Sequence, residues 1–190
     1  RNVTGVQTCA LPIYEDMRVR QKAQFELVSR GNKGLDALNA VLSQNTHQLS
    51  RIHAIWGISQ FARKKIEYAS LLVPYLKDKD PEIRAQSARW IGDVRFTGAG
   101  QQLIALLKDD YPRARFFAAE ALGRTAYEPA TQPLIGLLEQ NNDEDHYIRH
   151  AGSLALARIG KPEPLIALAR HPSRAVRDRK STRLNSSHIP

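Results

Sequence analysis

The nine residues IRAQSARWI, from Ile83 to Ile91, recur in related form along the chain. The related segments are VRQKAQFEL from Val19, SRIHAIWGI from Ser50, ARFFAAEAL from Ala114 and IRHAGSLAL from Ile148. Each has an arginine at its second position, and a further start follows at Val176 and Arg177; the six arginines lie 31, 33, 31, 34 and 28 residues apart. Self-similarity at a period of about 20 to 50 residues indicates a repeat architecture.

Within each segment, the small and the large apolar residues fall on one helical face. The residue three places after the arginine is small in every segment: Ala23, Ala54, Ser87, Ala118 and Gly152. The residue seven places after it is a large aliphatic: Leu27, Ile58, Ile91, Leu122 and Leu156. Because steps of three, four and seven residues share a helix face, the segments predict helices that approach a neighbour at the small residue and fill the groove with the aliphatic one.

A second apolar stretch follows each arginine helix and predicts a partner helix. These stretches are LDALNAVL from Leu35, YASLLVPYL from Tyr68, QLIALL from Gln102, PLIGLL from Pro133 and PLIAL from Pro164. Glycines near the ends of first helices, and a proline just inside two later helices, are typical stop and start signals: Gly31, Gly123, Gly160, Pro81 and Pro112. No stretch shows the sustained period-two alternation of a strand.

The sequence therefore predicts an all-α fold, an α-solenoid of about five helical hairpins stacked in series. The predicted repeats span approximately 16–46, 47–79, 80–110, 111–143 and 144–172, and residues 173–177 begin a sixth.

The pattern of an aspartate or proline, a hydrophobe with arginine, a small residue and a leucine resembles HEAT repeats of the phycobilisome-lyase-like bacterial type. The resemblance covers essentially all of Asp16 to Arg177. The phrases VRQKAQFEL, RIHAIWGI, IRAQSARWIGD, RFFAAEALGR and HYIRHAGSLALARIG are similar, in that order, to the HEAT segment of large bacterial membrane-bound dehydrogenases.

In such dehydrogenases a sugar-dehydrogenase-like β-propeller precedes the helices, and a c-type haem domain with a CxxCH motif follows. The resemblance therefore implies a linking segment of a larger oxidoreductase, in a periplasmic or extracytoplasmic location. Since these 190 residues contain neither CxxCH nor propeller sequence, the resemblance places no haem or quinone chemistry on any residue here.

The sequences at the two ends of the chain indicate segments that are foreign to the protein. Val3 to Ile13 reads VTGVQTCALPI, and one DNA sequence that encodes it has a reverse complement that encodes DRKSTRLNSSH, the residues Asp178 to His188. One DNA sequence in two orientations resembles a translated sequencing adapter. We therefore expect residues 1–13 and 178–190 to be foreign segments, and residues 14–177 to be the authentic repeats.

Composition sets limits on function. The chain carries 28 Lys and Arg against 19 Asp and Glu, a formal charge of +9, of which the predicted foreign ends contribute +3. The only cysteine, Cys9, lies in a predicted foreign segment, so the repeats offer no thiolate nucleophile, disulfide or cysteine metal site. No apolar run reaches the roughly 18 residues of a membrane span.

The arginines of the first helices form the most regular polar feature, here called the arginine column: Arg20, Arg51, Arg84, Arg115 and Arg149. A ladder of arginines could bind an acidic partner or phosphate. In the alternative, each arginine pairs with a carboxylate or helix-end carbonyl of the adjoining repeat, which the multidentate guanidinium suits. The alternative is favoured, because five repeats would hardly keep one ligand contact while their neighbours vary.

Histidines suggest a metal site only weakly. His146 and His150 are four residues apart and could share a metal, but HYIRH lacks the glutamate of a HExxH site. An acidic helix start with one exposed and one partly packed histidine is favoured. His53, between Arg51 and Trp56, is also expected to be structural, and His47 and His171 are expected in loops.

Aromatic residues beside basic ones could stack nucleic-acid bases, but their helical spacing favours packing roles for Trp56, Trp90, Phe25, Phe61, Phe116 and Phe117. Gly98 and Gly100 resemble part of a nucleotide loop, yet no strand precedes them, which favours a turn. No GxSxG elbow, phosphate loop or catalytic carboxylate pair is present. The sequence thus predicts no catalytic, cofactor-binding or metal-binding residue.

The predicted function is a non-catalytic scaffold that contacts other proteins or neighbouring domains of its own chain. One alternative is a phycobilin-lyase-like protein, whose tetrapyrrole pocket cannot be located in this sequence. Another is a nucleic-acid-binding domain like the HEAT-like DNA glycosylases, which is disfavoured because acids are interspersed with the bases. No cofactor is predicted.

Overall fold

The computed structural model describes residues 16–44 and 47–160, and every regular element within those ranges is helical. The predicted all-α fold is confirmed. The predicted foreign ends, the stretch from Pro164, His171 and the sixth start at Arg177 lie outside the described residues. The chain divides into two compact units, the first ending at Phe96 and the second beginning at Thr97.

The first unit contains four α-helices and a long 3₁₀-helix. They are α1 (Met17–Ser29), α2 (Asn32–Ser43), α3 (Gln48–Lys64), the 3₁₀-helix Ile66–Lys77 and α4 (Pro81–Asp93). Helix α3 lies at the centre of this unit, because it packs against the other three α-helices and against the 3₁₀-helix.

The second unit contains four α-helices and two single-turn 3₁₀-helices. They are the 3₁₀-helix Thr97–Ala99, α5 (Gly100–Leu106), α6 (Pro112–Arg124), the 3₁₀-helix Glu128–Ala130, α7 (Thr131–Asn141) and α8 (His146–Ile159). Helix α8 packs against both α6 and α7, while α5 packs against α6.

The core consists of the two apolar columns seen in the sequence. Every small residue three places after an arginine, and every aliphatic seven places after it, is buried. Each such leucine or isoleucine contributes about 1.5 to 3 kcal/mol by leaving water. The columns are therefore the constant framework of the repeats.

Helix starts follow the local chemistry of the chain. Pro81 and Pro112 open α4 and α6 as predicted, since the first helical position needs no N–H donor. The Asp80 carboxylate accepts from the Glu82 N–H, and Asp145 accepts from Tyr147 and Ile148. These side chains satisfy backbone donors that a helix start leaves without partners.

First helices end on a shared backbone conformation. The residue eleven places after the arginine has a left-handed φ in four repeats, at Gly31, Arg95, Ala126 and Gly160. Gly31 and Gly160 thus act as the predicted stop signals. In the second unit Gly123 has a different role, because a Cβ there would lie 2.5 Å from the Ala155 Cα. Gly123 lets α6 and α8 approach closely.

The second partner segment differs from the α-helix that its apolar pattern predicts. Residues Ile66–Lys77 form a 3₁₀-helix with Pro74 inside it. Proline has no N–H to donate, and its ring collides with the carbonyl four residues earlier in an α-helix. Pro74 thus accounts for the tighter helix.

Candidate interaction surface

Two members of the arginine column make the same contact. Arg84 Nη1 donates to the carbonyl oxygens of Asp78 and Lys79, at 2.8 and 3.3 Å. Arg115 Nη1 donates in the same way to Asp109 at 2.6 Å and to Asp110 at 3.2 Å. Both arginines reach back six and five residues, to the segment that follows the preceding helix. Carbonyls there lack intrahelical donors, so the guanidinium supplies hydrogen bonds that the helix cannot.

Arg51 is the most enclosed member of the column, with 3% of its surface exposed. Its Nε donates to the Leu42 carbonyl at the end of α2 at 2.9 Å, and its two terminal nitrogens donate to the two oxygens of Asp78. Burial tends to raise the pKa of Asp78, but the bonds from Arg51 and from the Asp80 N–H outweigh it and hold that pKa below its usual value.

The remaining two arginines have different partners. Arg149 Nη1 donates to the Asp143 carboxylate at 3.2 Å, after a segment in which Asn142 and Asp143 are both left-handed. Arg20 lies against α3, where its Nε donates to His53 Nε2 at 3.3 Å. All five arginines thus contact protein groups within their own unit.

His53 belongs to a buried polar network. Its Nδ1 lies 2.9 Å from the Gln24 side-chain oxygen, and only 3% of the residue is exposed. Burial, aided by the positive charge of Arg20, lowers the pKa of His53 to about 4. The imidazole is therefore neutral at pH 7, donating from Nδ1 and accepting at Nε2. His53 has the structural role that the sequence predicts.

Neighbouring side chains contact both tryptophan rings. Trp56 packs edge-on against His53, and its Nε1 donates to the Gln86 oxygen at 3.0 Å. The Trp90 ring lies 5.0 Å from the Arg63 guanidinium and 5.5 Å from that of Arg89. Arg63 also forms a loose ion pair with Asp93, at 3.6 Å. These contacts leave the indole rings poorly placed to stack on bases.

Some predictions for aromatic and histidine residues are wrong. Phe25 is 51% exposed, because its position on α1 faces away from α2 and α3. His146 and His150 are both exposed, so neither is the partly packed histidine that was expected. Gly100 begins α5, where a Cβ would lie 2.4 Å from the Tyr127 ring; it serves close packing as well as the turn.

Sequence reasoning missed the residues that hold the arginines and histidine in place. Asp78, Gln24 and Gln86 are examples. Asp78 precedes the helix start at Asp80 by two residues, as Asp109 precedes Tyr111, and in both pairs the side chain accepts the later backbone N–H. The sequence did carry a signal for these partners: in three repeats an aspartate lies six residues before the column arginine, at Asp78, Asp109 and Asp143.

The second unit has an open groove of about 500 Å³ whose lining includes Lys108, Asp110, Glu144 and Leu137. Within the described ranges, no group of three or more histidine, cysteine, aspartate or glutamate side chains is arranged to hold a metal ion. Nor does any described helix combine the length and apolar character needed to cross a membrane.

The fold and the recurring arginine contacts define an α-helical repeat protein. The sequence profile of HEAT repeats matches residues 69–157 and 101–181, which together span more than half of the chain. The chain belongs to the HEAT-repeat family. Comparison with curated protein sequences finds no match.

Solved structures with a similar fold include natural and designed proteins. The complex of CpcE and CpcF of phycocyanin lyase from Nostoc sp. PCC7120 matches with 16% identity and a TM-score of 0.63, covering 95% of this chain and 75% of that one. An engineered protein matches with 20% identity and a TM-score of 0.60, covering 99% of both chains. A designed armadillo repeat protein in complex with the peptide (KR)4 matches with 18% identity and a TM-score of 0.53, covering 95% and 97%.

Proposed function

We propose that the chain is a non-catalytic interaction scaffold. One observation carries this proposal: a constant buried framework supports a surface that changes from repeat to repeat. The residue five places after each column arginine is never fully buried, and it is successively Phe25, Trp56, Arg89, Glu120 and Leu154. Within each unit, a different side chain on the same framework position suits recognition of a partner by successive repeats.

The arginine column belongs, in this proposal, to the framework. Its guanidinium groups donate hydrogen bonds to carbonyl oxygens at or just after helix ends, to carboxylates and to His53. A charged hydrogen bond of this kind is worth about 1.5 to 3 kcal/mol. We therefore assign the column to the stability of the repeats and the partner to the variable residues.

The resemblance to bacterial dehydrogenases supports a finer proposal. The repeats would space and orient a propeller and a haem domain of one longer chain for electron transfer outside the cytoplasm. The genomic sequence that continues the reading frame tests it. A CxxCH motif downstream is expected, and an uninterrupted frame without that motif would dismiss the dehydrogenase assignment.

A lyase-like function is the second candidate, because the phycocyanin lyase complex shares the fold along 95% of this chain. Titration of the protein with an open-chain tetrapyrrole distinguishes the two candidates by absorbance. The scaffold proposal expects no saturable spectral shift. A shift that saturates at one equivalent would favour the lyase-like function instead.

Selection from a peptide library tests the scaffold directly. The immobilised 190-residue chain is panned against random twelve-residue peptides, and urea-denatured chain serves as the control. We expect a recurring motif that binds only the folded chain and is released unaltered. Failure to enrich any motif over the denatured control would contradict the proposal.

A further inference from the structure

The turns that join first and second helices bring cations to one edge of the first unit. Three contacts align α3 with α4: Gln48 with Asp80, Trp56 with Gln86, and Arg63 with Asp93. The two helices therefore run in the same direction and end at the same edge. This edge holds residues 63–67 and 93–96.

Helix α2 runs the opposite way, so the first turn reaches the same edge. Arg51 Nε bonds to the Leu42 carbonyl, while the Cβ of a residue at Gly57 would touch Leu38. As α3 advances, its neighbours in α2 have lower numbers. The start of α2, with Lys33, thus lies beside the end of α3. We call residues 30–33, 63–67 and 93–95, together with Arg89, the basic edge.

Charge on the basic edge is strongly unbalanced. It carries seven cations, Arg30, Lys33, Arg63, Lys64, Lys65, Arg89 and Arg95, against the two carboxylates Glu67 and Asp93 and the adjoining Glu26, which pairs with Arg30 at 3.2 Å. Lys33, Lys64, Lys65 and Arg95 are exposed, and no described residue forms an ion pair with any of them. Positive charge at the ends of α1, α3 and α4 also complements their dipoles, but a dipole does not require seven cations.

Two features make the edge more than a charged surface. Arg95 occupies a left-handed position, φ 57°, where two other repeats have glycine; a side chain there costs about 1 kcal/mol, so this cation is held at a strained site. In addition, Ile66 is 44% exposed beside Lys64 and Lys65, in a shallow depression of about 780 Å³ that extends from Arg63 to Tyr68.

We propose that the basic edge binds an acidic protein segment that also carries an apolar side chain. The inference rests on the proposed scaffold function and adds a second contact surface to it, which shares Arg89 with the variable residues, together with the chemistry of the segment that binds there. The cations are grouped at three turns, separated by the roughly 8 to 10 Å between packed helices. A chain in the polyproline II conformation advances about 3.1 Å per residue and returns to the same face every three residues, so every third residue can present a carboxylate to one turn, and a neighbouring apolar residue meets Ile66.

A nucleic acid fits this edge less well. Trp90 already contacts the guanidinium groups of Arg63 and Arg89, so a base that stacked on it would compete with these two side chains. Asp93 and Glu67 lie among the cations and would repel successive phosphates. A protein segment can place its carboxylates to avoid both.

Fluorescence anisotropy with a synthetic probe tests the inference. The probe is a ten-residue peptide of aspartate and glutamate with two central leucines. The variant Lys64→Gln/Lys65→Gln removes two charges from the basic edge, and the matched control Lys77→Gln/Lys79→Gln removes two from exposed lysines at the opposite end of the same 3₁₀-helix. We expect about fivefold weaker binding for the first variant and less than twofold change for the control.

Additional probes in the same experiment identify the class of ligand. Replacing both leucines of the probe with serine is expected to weaken binding to the native chain, through the loss of contact with Ile66. Equal loss in the two lysine variants, or no binding of the acidic probe by the native chain, would overturn the inference. So would tighter binding of a ten-nucleotide thymidine oligomer, of a lysine and arginine peptide, or of phosphatidylserine vesicles. Should the library select peptides without acids, the scaffold function stands and only this inference fails.

Discussion

Arg51 and Asp78 form a bidentate ion pair, with 3% and 14% of their side chains exposed. The same guanidinium bonds the last turn of α2, so one side chain joins the end of one hairpin to the end of the next. Burial of both charges means that neither can recover water if its partner is removed.

Removal of one partner should therefore be costly. Arg51→Gln leaves Asp78 largely buried without its cation, and we expect the free energy of unfolding to fall by about 3 kcal/mol. Urea unfolding followed by circular dichroism measures this change. Arg18→Gln is the control, because Arg18 pairs with Asp16 while 87% of its side chain is exposed, so water replaces the lost contact and the unfolding midpoint should stay almost unchanged.

The buried histidine gives stability a distinct pH dependence. Burial and Arg20 lower the pKa of His53 to about 4. Between about pH 6.5 and pH 4, His53 is therefore protonated in the unfolded chain but neutral in the folded chain. This contribution is present above pH 6.5 and is lost as the pH falls to 4, by a total of about 3 kcal/mol. In His53→Gln the loss should disappear. Unfolding free energies measured between pH 7 and pH 4 that run parallel in both proteins would contradict this.

Close packing by glycine predicts a pair of opposite effects in the second unit. Gly123→Ala places a methyl group 2.5 Å from the Ala155 Cα, and overpacking of this kind costs about 1 to 3 kcal/mol. Gly136→Ala meets no atom within 4 Å, and alanine is the better helix former by about 1 kcal/mol. Thermal unfolding should show a lower melting temperature for the first variant and a higher one for the second. Two shifts of the same sign would refute the assignment.

The left-handed backbone conformation of the residue after a first helix predicts a stabilising substitution. Ala126 has φ 49°, which an L side chain adopts at a cost of about 1 kcal/mol, whereas glycine adopts it freely. Ala126→Gly should therefore raise the free energy of unfolding by up to about 1 kcal/mol. Ala40→Gly, an exposed site inside α2, should lower it by a similar amount. Urea unfolding of both variants provides the comparison.

The sequence predicts the repeat well because the fold depends on periodic, local signals. The buried columns and the prolines of α4 and α6 can be read without a structure. The 3₁₀-helix around Pro74 and the left-handed Arg95 are harder, because neither changes the apolar pattern. The partners of the arginines depend on which carbonyls and carboxylates the turns bring near, and the basic edge emerges only when α1, α3 and α4 are known to end together.

The division between a structural framework and a binding surface is the central claim, and one pair of measurements on Arg115→Gln tests it. Arg115 bonds the carbonyls of Asp109 and Asp110. We predict that its loss lowers the free energy of unfolding by about 2 kcal/mol while the Kd for a library-selected peptide, measured by calorimetry on the folded protein, changes less than twofold. Unchanged stability with binding at least tenfold weaker would contradict the account and make the arginine column the ligand site.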